Sequence, residues 1–324
     1  MINSPLNPGR SQQLPQLPQP PQLGGLLASF TAFLLWGILP IYWKALDSYS
    51  AGQILLFRII ASFIFLLFLV LLTKQLSSTL KTLKNKRLFI AFAFASLALS
   101  GNWLIYIWAV NSGHIVDSSL GYFLTPLVNT VFGLLFFKDR LSRLQWIAIC
   151  LAVLGVSCQL IMLGRLPWIA LFLALSFGTY GVLRKKEPVD SIPGLFLETL
   201  ILTPLALTAL IWFWKNNYQG LFQINLQLDP FLLATGVVTT VPLLLFAYGA
   251  KRLRLTTLGL MQYIAPTGQL IIGVFIYKEE LSLAYLFSFA FIWAGLIIYS
   301  LESLRVYRRR RIDNKEKDIT REVC

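Results

Sequence analysis

Residues 116–163, VDSSLGYFLTPLVNTVFGLLFFKDRLSRLQWIAICLAVLGVSCQLIML, hold two apolar runs around a charged turn, and their landmarks return 140 positions later. Pro126, Gly133, Lys138-Asp139, Leu141-Ser142 and Gly155 correspond to Pro266, Gly273, Lys278-Glu279, Leu281-Ser282 and Gly295. Just before the prolines, Ser119-Leu120-Gly121 corresponds to Thr257-Leu258-Gly259 with a two-residue offset. Similarity held over this distance marks an internal repeat. Each run has about 20 mostly apolar residues, enough to cross a hydrocarbon core roughly 30 Å thick as a helix.

Runs of the same kind fill the rest of the chain. They predict helices over 23–43, 52–73, 88–110, 116–137, 144–163, 167–184, 193–214, 230–250, 256–277 and 283–302. Gly164-Arg165-Leu166-Pro167, Asp190 to Pro193 and Asp229-Pro230 punctuate the boundaries, because residues before proline leave the helical region. The expectation is an all-α polytopic membrane protein with ten transmembrane helices in two five-helix repeats, 23–163 and 164–302. An odd number of crossings per repeat makes the halves enter the membrane in opposite directions, giving an inverted repeat. Residues 1–22, with six prolines and five glutamines, predict a disordered tail, and 303–324 a basic cytoplasmic tail. The first apolar run contains Trp36 and Pro40 and lacks a small-residue cleavage pattern, so it reads as a membrane helix rather than a signal peptide.

Composition agrees. The 324 residues are 56% apolar and 13% charged, against about 25% charged in a soluble domain. The net charge of +14 would suit nucleic acid if it formed one basic face, but it sits in loops and at the C-terminus. With the N-terminus placed inside, 23 of the 28 Lys and Arg residues fall in inside segments; only Lys44, Arg165, Lys215 and Lys278 fall outside, and Arg58 lies within a span. The positive-inside rule therefore puts both termini in the cytoplasm. Cys150 and Cys158 lie in one apolar run and Cys324 is last, which reads as packing thiols rather than a disulfide framework. A single histidine, no paired cysteines at zinc spacing and no phosphate-binding loop point away from a metal centre, a cofactor, an enzyme or an ATP-driven pump.

Few residues remain to carry chemistry. Arg58, a cation inside the second span, is either a binder of an anionic substrate group or a structural or snorkelling cation. On the third span, beside Asn102, Trp103 and Tyr106 with Asn111 beyond them sit near one-turn spacing and predict an aromatic wall for a mostly apolar substrate; an interfacial belt is the competing reading. Tyr122 on the fourth span joins the substrate-binding set. Pro126 and Pro266, at matched positions near the middle of the fourth and ninth spans, predict kinks at a midplane site. Glu198, near the start of the seventh span, is a candidate partner for Arg58, a coupling group or an interfacial, solvated carboxylate, and His114, beside Asp117, a candidate proton relay or a loop contact.

The stretch Asn102–Leu160, with Trp36-Gly37 through Trp43-Lys44 and Leu166–Lys186, resembles the EamA branch of the drug/metabolite transporter superfamily, and within it the RarD group, named for chloramphenicol sensitivity. The resemblance covers about residues 24–302. It implies ten helices in two EamA repeats and a permease of the bacterial inner membrane. In that group the second helix usually opens Glu-x-x-x-His-Arg; here the matching residues are Gln53, Phe57 and Arg58, so the cation is kept and two titratable neighbours are lost. The usual Glu-Ala before Ser-Leu-Gly-Tyr is Asp117-Ser118, and the usual Gly-Glu-Arg after the fourth helix is Lys138-Asp139-Arg140. The expected function is secondary transport, as an exporter of small organic metabolites or drug-like compounds by alternating access, with a small-molecule substrate, the lipid bilayer and a proton or coupling ion as partners. A membrane scaffold or regulator acting through the basic C-terminal tail is the alternative.

Overall fold

The computed structural model describes residues 23–138, 141–185, 189–216, 229–250, 252–253 and 255–323, so the Pro/Gln-rich segment expected to be disordered lies outside the described residues. Among these residues there is no strand. The first repeat contains α1 (Leu23–Lys44), α2 (Ala51–Leu72), α3 (Leu76–Thr82), α4 (Lys86–Asn111), α5 (Ile115–Phe137) and α6 (Arg143–Leu163). The second contains α7 (Trp168–Lys185), α8 (Ser191–Lys215), α9 (Asp229–Ala250), α10 (Leu255–Met261), α11 (Ile264–Ile271), a π-helical turn over Ile272–Ile276, and α12 (Leu283–Val323). Nine described stretches are long and apolar enough to cross a membrane, and α7 is a shorter apolar tenth.

Local chemistry sets the ends. Ser50 and Ser142 begin α2 and α6 with reciprocal capping boxes to Gln53 and Gln145. Asn85 accepts from the first N–H groups of α4. Lys138 and Lys278, equivalent in the two repeats, both adopt left-handed backbone, with φ of 56° and 57°, so the duplication survives at the level of a single dihedral.

Three elements depart from the sequence reading. The short α3 lies in what reads as a polar loop. The tenth span, Leu283–Glu302, stands as read, but its helix continues beyond it to Val323, through residues that contain neither Gly nor Pro. The ninth span is not one helix: α10 stops at Met261 and α11 starts at Ile264. Pro266 sits in the first turn of α11, where its missing N–H and bulky ring are tolerated, whereas an unbroken helix would strand the carbonyl of Gln262. Pro126, its counterpart, lies inside the uninterrupted α5.

The repeats interlock rather than sit side by side. The first long helix of each repeat packs on the third and fourth spans of the other: α1 on α9 and α11, α7 on α4 and α5. The second spans, α2 and α8, meet each other, and so do the last, α6 and α12. At the α6–α12 contact the symmetry reaches single atoms. A Cβ added to Gly155 would lie 2.9 Å from the Ser288 carbonyl, and one added to the equivalent Gly295 would lie 2.8 Å from that of the equivalent Ala148. Both glycines are required by backbone contact, and Ser288 Oγ reinforces it by donating to Gly155 O at 2.7 Å. Large apolar side chains such as Phe68, Phe94, Val153, Ile161, Leu233 and Ile297 stay exposed on the outer surface, which is where lipid chains meet a membrane bundle.

Candidate substrate site

Arg58 lies where α1, α2 and α4 converge and is only 5% exposed. Its guanidinium is 3.9 Å from the ring centroid of Trp103 on α4 and 4.9 Å from that of Trp43 on α1. Two indole faces at these distances stabilise a desolvated guanidinium by about 2 kcal/mol or more. Its Nε and Nη1 atoms are buried without a hydrogen-bond partner, and among the described residues no carboxylate pairs with it.

Tyr106, three residues after Trp103 and therefore on the same side of α4, packs edge-on against Tyr122 of α5, with ring centroids 5.5 Å apart. Both rings, and Tyr42 of α1, lie within electrostatic reach of Arg58. Tyr122 Oη donates to Asn102 Oδ1 at 3.2 Å. Asn102 Nδ2 donates to Leu173 O and Ser176 Oγ, each at 3.0 Å. Asn102 is thus occupied in tying α4, α5 and α7 together, and its contribution is to hold Tyr122. Tyr106 Oη and Trp43 Nε1 are buried without partners.

Arg58, Trp103, Tyr106 and Tyr122 therefore form one cluster, with Asn102 behind it. Trp43 belongs to the cluster and was missed: at the end of an apolar run it reads as an interfacial ring, yet it is fully buried. Asn111 accepts from Lys44 Nζ at 2.9 Å through its backbone carbonyl, and its side-chain Nδ2 and Oδ1 are buried without a hydrogen-bond partner.

The prolines flank the meeting of the halves. Ser119 Oγ of α5 donates to the carbonyl of Pro266 at 2.9 Å, and Thr130 Oγ1 donates to that of Pro126 at 2.9 Å. A further proline, Pro40, frees the carbonyl of Trp36 one turn earlier, and Gln269 Nε2 of α11 donates to it at 3.2 Å. A helix-breaking residue in one repeat is thereby satisfied by a side chain of the other.

The pairing expected for Glu198 needs correcting. Its partner is Arg184 of α7, with Nε 3.3 Å from Oε1, and Tyr180 Oη donates to Oε2 at 3.3 Å. Helical register alone does not show that α7 and α8 bring these groups together. His114 also stands apart from Arg58. Its Nδ1 is 3.2 Å from Asp117 Oδ2, its ring stacks on Trp108, and Tyr285 of α12 donates to Asp117 Oδ1 at 2.8 Å. Together with Gln159, Arg165 and Trp168 these residues line a cavity of about 140 Å³ at the ends of α4 and α6. Gln53, where the related pattern has Glu, accepts from the backbone N–H of Ser50 at 2.7 Å, a cap for which an amide suffices.

The sequence profile of the EamA-like transporter family matches twice, over residues 23–161 and 166–301. The chain is 43% identical over 281 residues to an uncharacterized transporter of Vibrio cholerae, covering 87% of this chain and 93% of that one. It is 41% identical to protein RarD of Salmonella typhimurium, covering 88% and 97%, and 28% identical to the chloramphenicol-sensitive protein RarD of Pseudomonas aeruginosa, covering 88% and 96%. A solved crystal structure shares the fold at a TM-score of 0.56 and 19% identity, over 86% of this chain and 97% of that one. With both halves matched separately and close relatives aligned along nearly their whole length, the chain belongs to the EamA-like transporter family, as a RarD-type permease.

Proposed function

We propose that the protein is a secondary transporter that exports small organic metabolites or drug-like compounds by alternating access, from an inner membrane in which both termini face the cytoplasm. The observation that carries this reading is the unequal state of two equivalent helices. In the first repeat α5 is continuous and tightly held: a Cβ on Gly121 would lie 2.8 Å from the carbonyl of Ala170 on α7. The N–H groups of Ile115 and Val116 that open α5 each donate to the Glu279 carboxylate, at 2.8 Å. In the second repeat the same segment is broken into α10 and α11, and a Cβ on Gly259 would meet nothing within 4 Å among the described residues. Two copies of one element in two packings are what inverted repeats need if they are to exchange states and carry a central site from one face to the other.

The skewed distribution of basic residues supports the orientation. The aromatic cluster around Arg58 supports a substrate with an apolar body. Pro126 and Pro266 supply the weak points at which the helices bend, and the Ser119 contact to Pro266 joins them across the repeats.

The test is flux of a pooled panel of amino acids, other metabolites and chloramphenicol in sealed proteoliposomes, with and without an imposed pH gradient. Movement of one compound class that responds to the gradient is the expected result and gives the coupling. Folded protein that moves none of them, together with a loss of cellular function on deleting residues 305–324, would support a scaffold acting through its tail instead.

A further inference from the structure

We propose that the substrate carries a carboxylate on an apolar or aromatic body and that Arg58 binds that carboxylate; this rests on the transport reading and names the substrate class of the same site. The unsatisfied groups of the cluster have one polarity. Arg58 Nε, Arg58 Nη1 and Trp43 Nε1 are donors with no acceptor capacity, and Tyr106 Oη can also donate; all four are buried without partners. A buried, unpaired cation is unfavourable, and folded chains normally supply a counter-ion from their own side chains. Here the chain supplies aromatic faces instead. These lie against the guanidinium carbon and leave the N–H groups of Nε and Nη1 unpaired, groups of the kind that hydrogen-bond a planar carboxylate.

Charge balance narrows the class further. The cation nearest in sequence, Lys44, is directed to Asn111 O at 2.9 Å and to the Tyr277 ring at 5.9 Å, so among the described residues Arg58 is the cation held against the aromatic cluster. A carboxylate neutralises it, whereas a phosphate dianion would leave excess charge in a dry bundle. An α-amino acid would need an acid for its ammonium group. Among the described residues the two buried acids are engaged elsewhere, Asp117 by Tyr285 and His114 and Glu198 by Arg184 and Tyr180, and Glu279 is held by the first amides of α5. Trp103, Tyr106 and Tyr122 are suited to an apolar or aromatic body. The ligand chemistry that fits is a monocarboxylate without a cationic group.

The test uses the full chain with four matched probes: phenylacetate, phenylacetamide, phenethylamine and phenylalanine. Binding is read by thermal shift and tryptophan fluorescence, since two indoles flank the guanidinium, and flux is read in proteoliposomes. The expected result is phenylacetate binding at least about tenfold tighter than phenylacetamide, a difference set by one charge-assisted contact, with phenethylamine and phenylalanine weaker still. Arg58→Gln should remove the preference for the acid and Arg58→Lys should keep part of it. Equal binding of acid and amide, no phenylacetate binding at millimolar concentration, or a preference that survives Arg58→Gln would overturn the inference. The probe series on the unaltered chain decides the matter even if a variant fails to fold. The two readings separate cleanly: amide and acid crossing the bilayer alike would overturn the substrate class and keep transport. Selective binding of phenylacetate without flux of any compound would do the reverse.

Discussion

Arg58 and Arg184 are both arginines on apolar helices, yet the bundle treats them in opposite ways. Arg184, whose side chain is 17% exposed, receives the Glu198 carboxylate at 3.3 Å and shares it with Tyr180. Its guanidinium also rests against Gly194, where an added Cβ would force it to shift, and 5.3 Å from the Phe92 ring. Arg58 receives two indole faces and no acid among the described residues. A cation paired with a carboxylate of the chain itself is a structural joint, here between α7 and α8. One that is held in place but left electrically incomplete is suited to a partner that comes and goes. Burial alone does not separate the two cases; the partners do.

The largest effect expected from disturbing this contrast is on the structural side. Glu198→Ala leaves Arg184 buried without its carboxylate and should lower stability by about 3–5 kcal/mol, measured by denaturant unfolding in micelles; in a double-mutant cycle with Arg184→Ala the two losses should be strongly non-additive. Gly194→Ala drives a methyl group into the Arg184 guanidinium and should cost about 1–3 kcal/mol, with partial recovery when Arg184 is shortened. Trp103→Leu removes the nearer ring face from Arg58 and underfills its site, for a loss of about 2 kcal/mol together with weaker substrate binding. The smallest shift in stability should come from Arg58→Gln, where loss of the ring contacts is offset by removal of an unpaired cation that costs roughly 3 kcal/mol on insertion scales, leaving a net change within about 1 kcal/mol. That variant should nonetheless lose transport, and a melting temperature that falls as far as in Glu198→Ala would erase the distinction between the two arginines.

Much of the fold can be read in the sequence, for reasons that are physical. A helix in lipid must satisfy every backbone group within itself, so length and hydropathy alone locate the spans. The 140-residue repeat survives because Gly155 and Gly295 each meet backbone of the partner helix, and because Lys138 and Lys278 share a left-handed turn. The site was legible only in part. Arg58, Trp103, Tyr106 and Tyr122 stand out as polar or aromatic residues in apolar runs and are brought together. Trp43 does not stand out, since an aromatic ring near a span end has the same local signature whether it faces headgroups or the interior. The break before Pro266 was also hidden, because Pro126 has the same local sequence logic and its helix is continuous.

What the sequence by itself determined is the number of spans, the duplication, the inverted relation of the halves and the skew of positive charge, all of which depend on local composition and counting. What only the tertiary structure decided is which groups meet: that Glu198 goes to Arg184, that Arg58 is left to Trp43 and Trp103, and that one copy of the repeated helix is locked while the other is broken. Those outcomes depend on the rotation and crossing of packed helices, which set distances between residues far apart in the chain and have no trace in the local sequence of either partner.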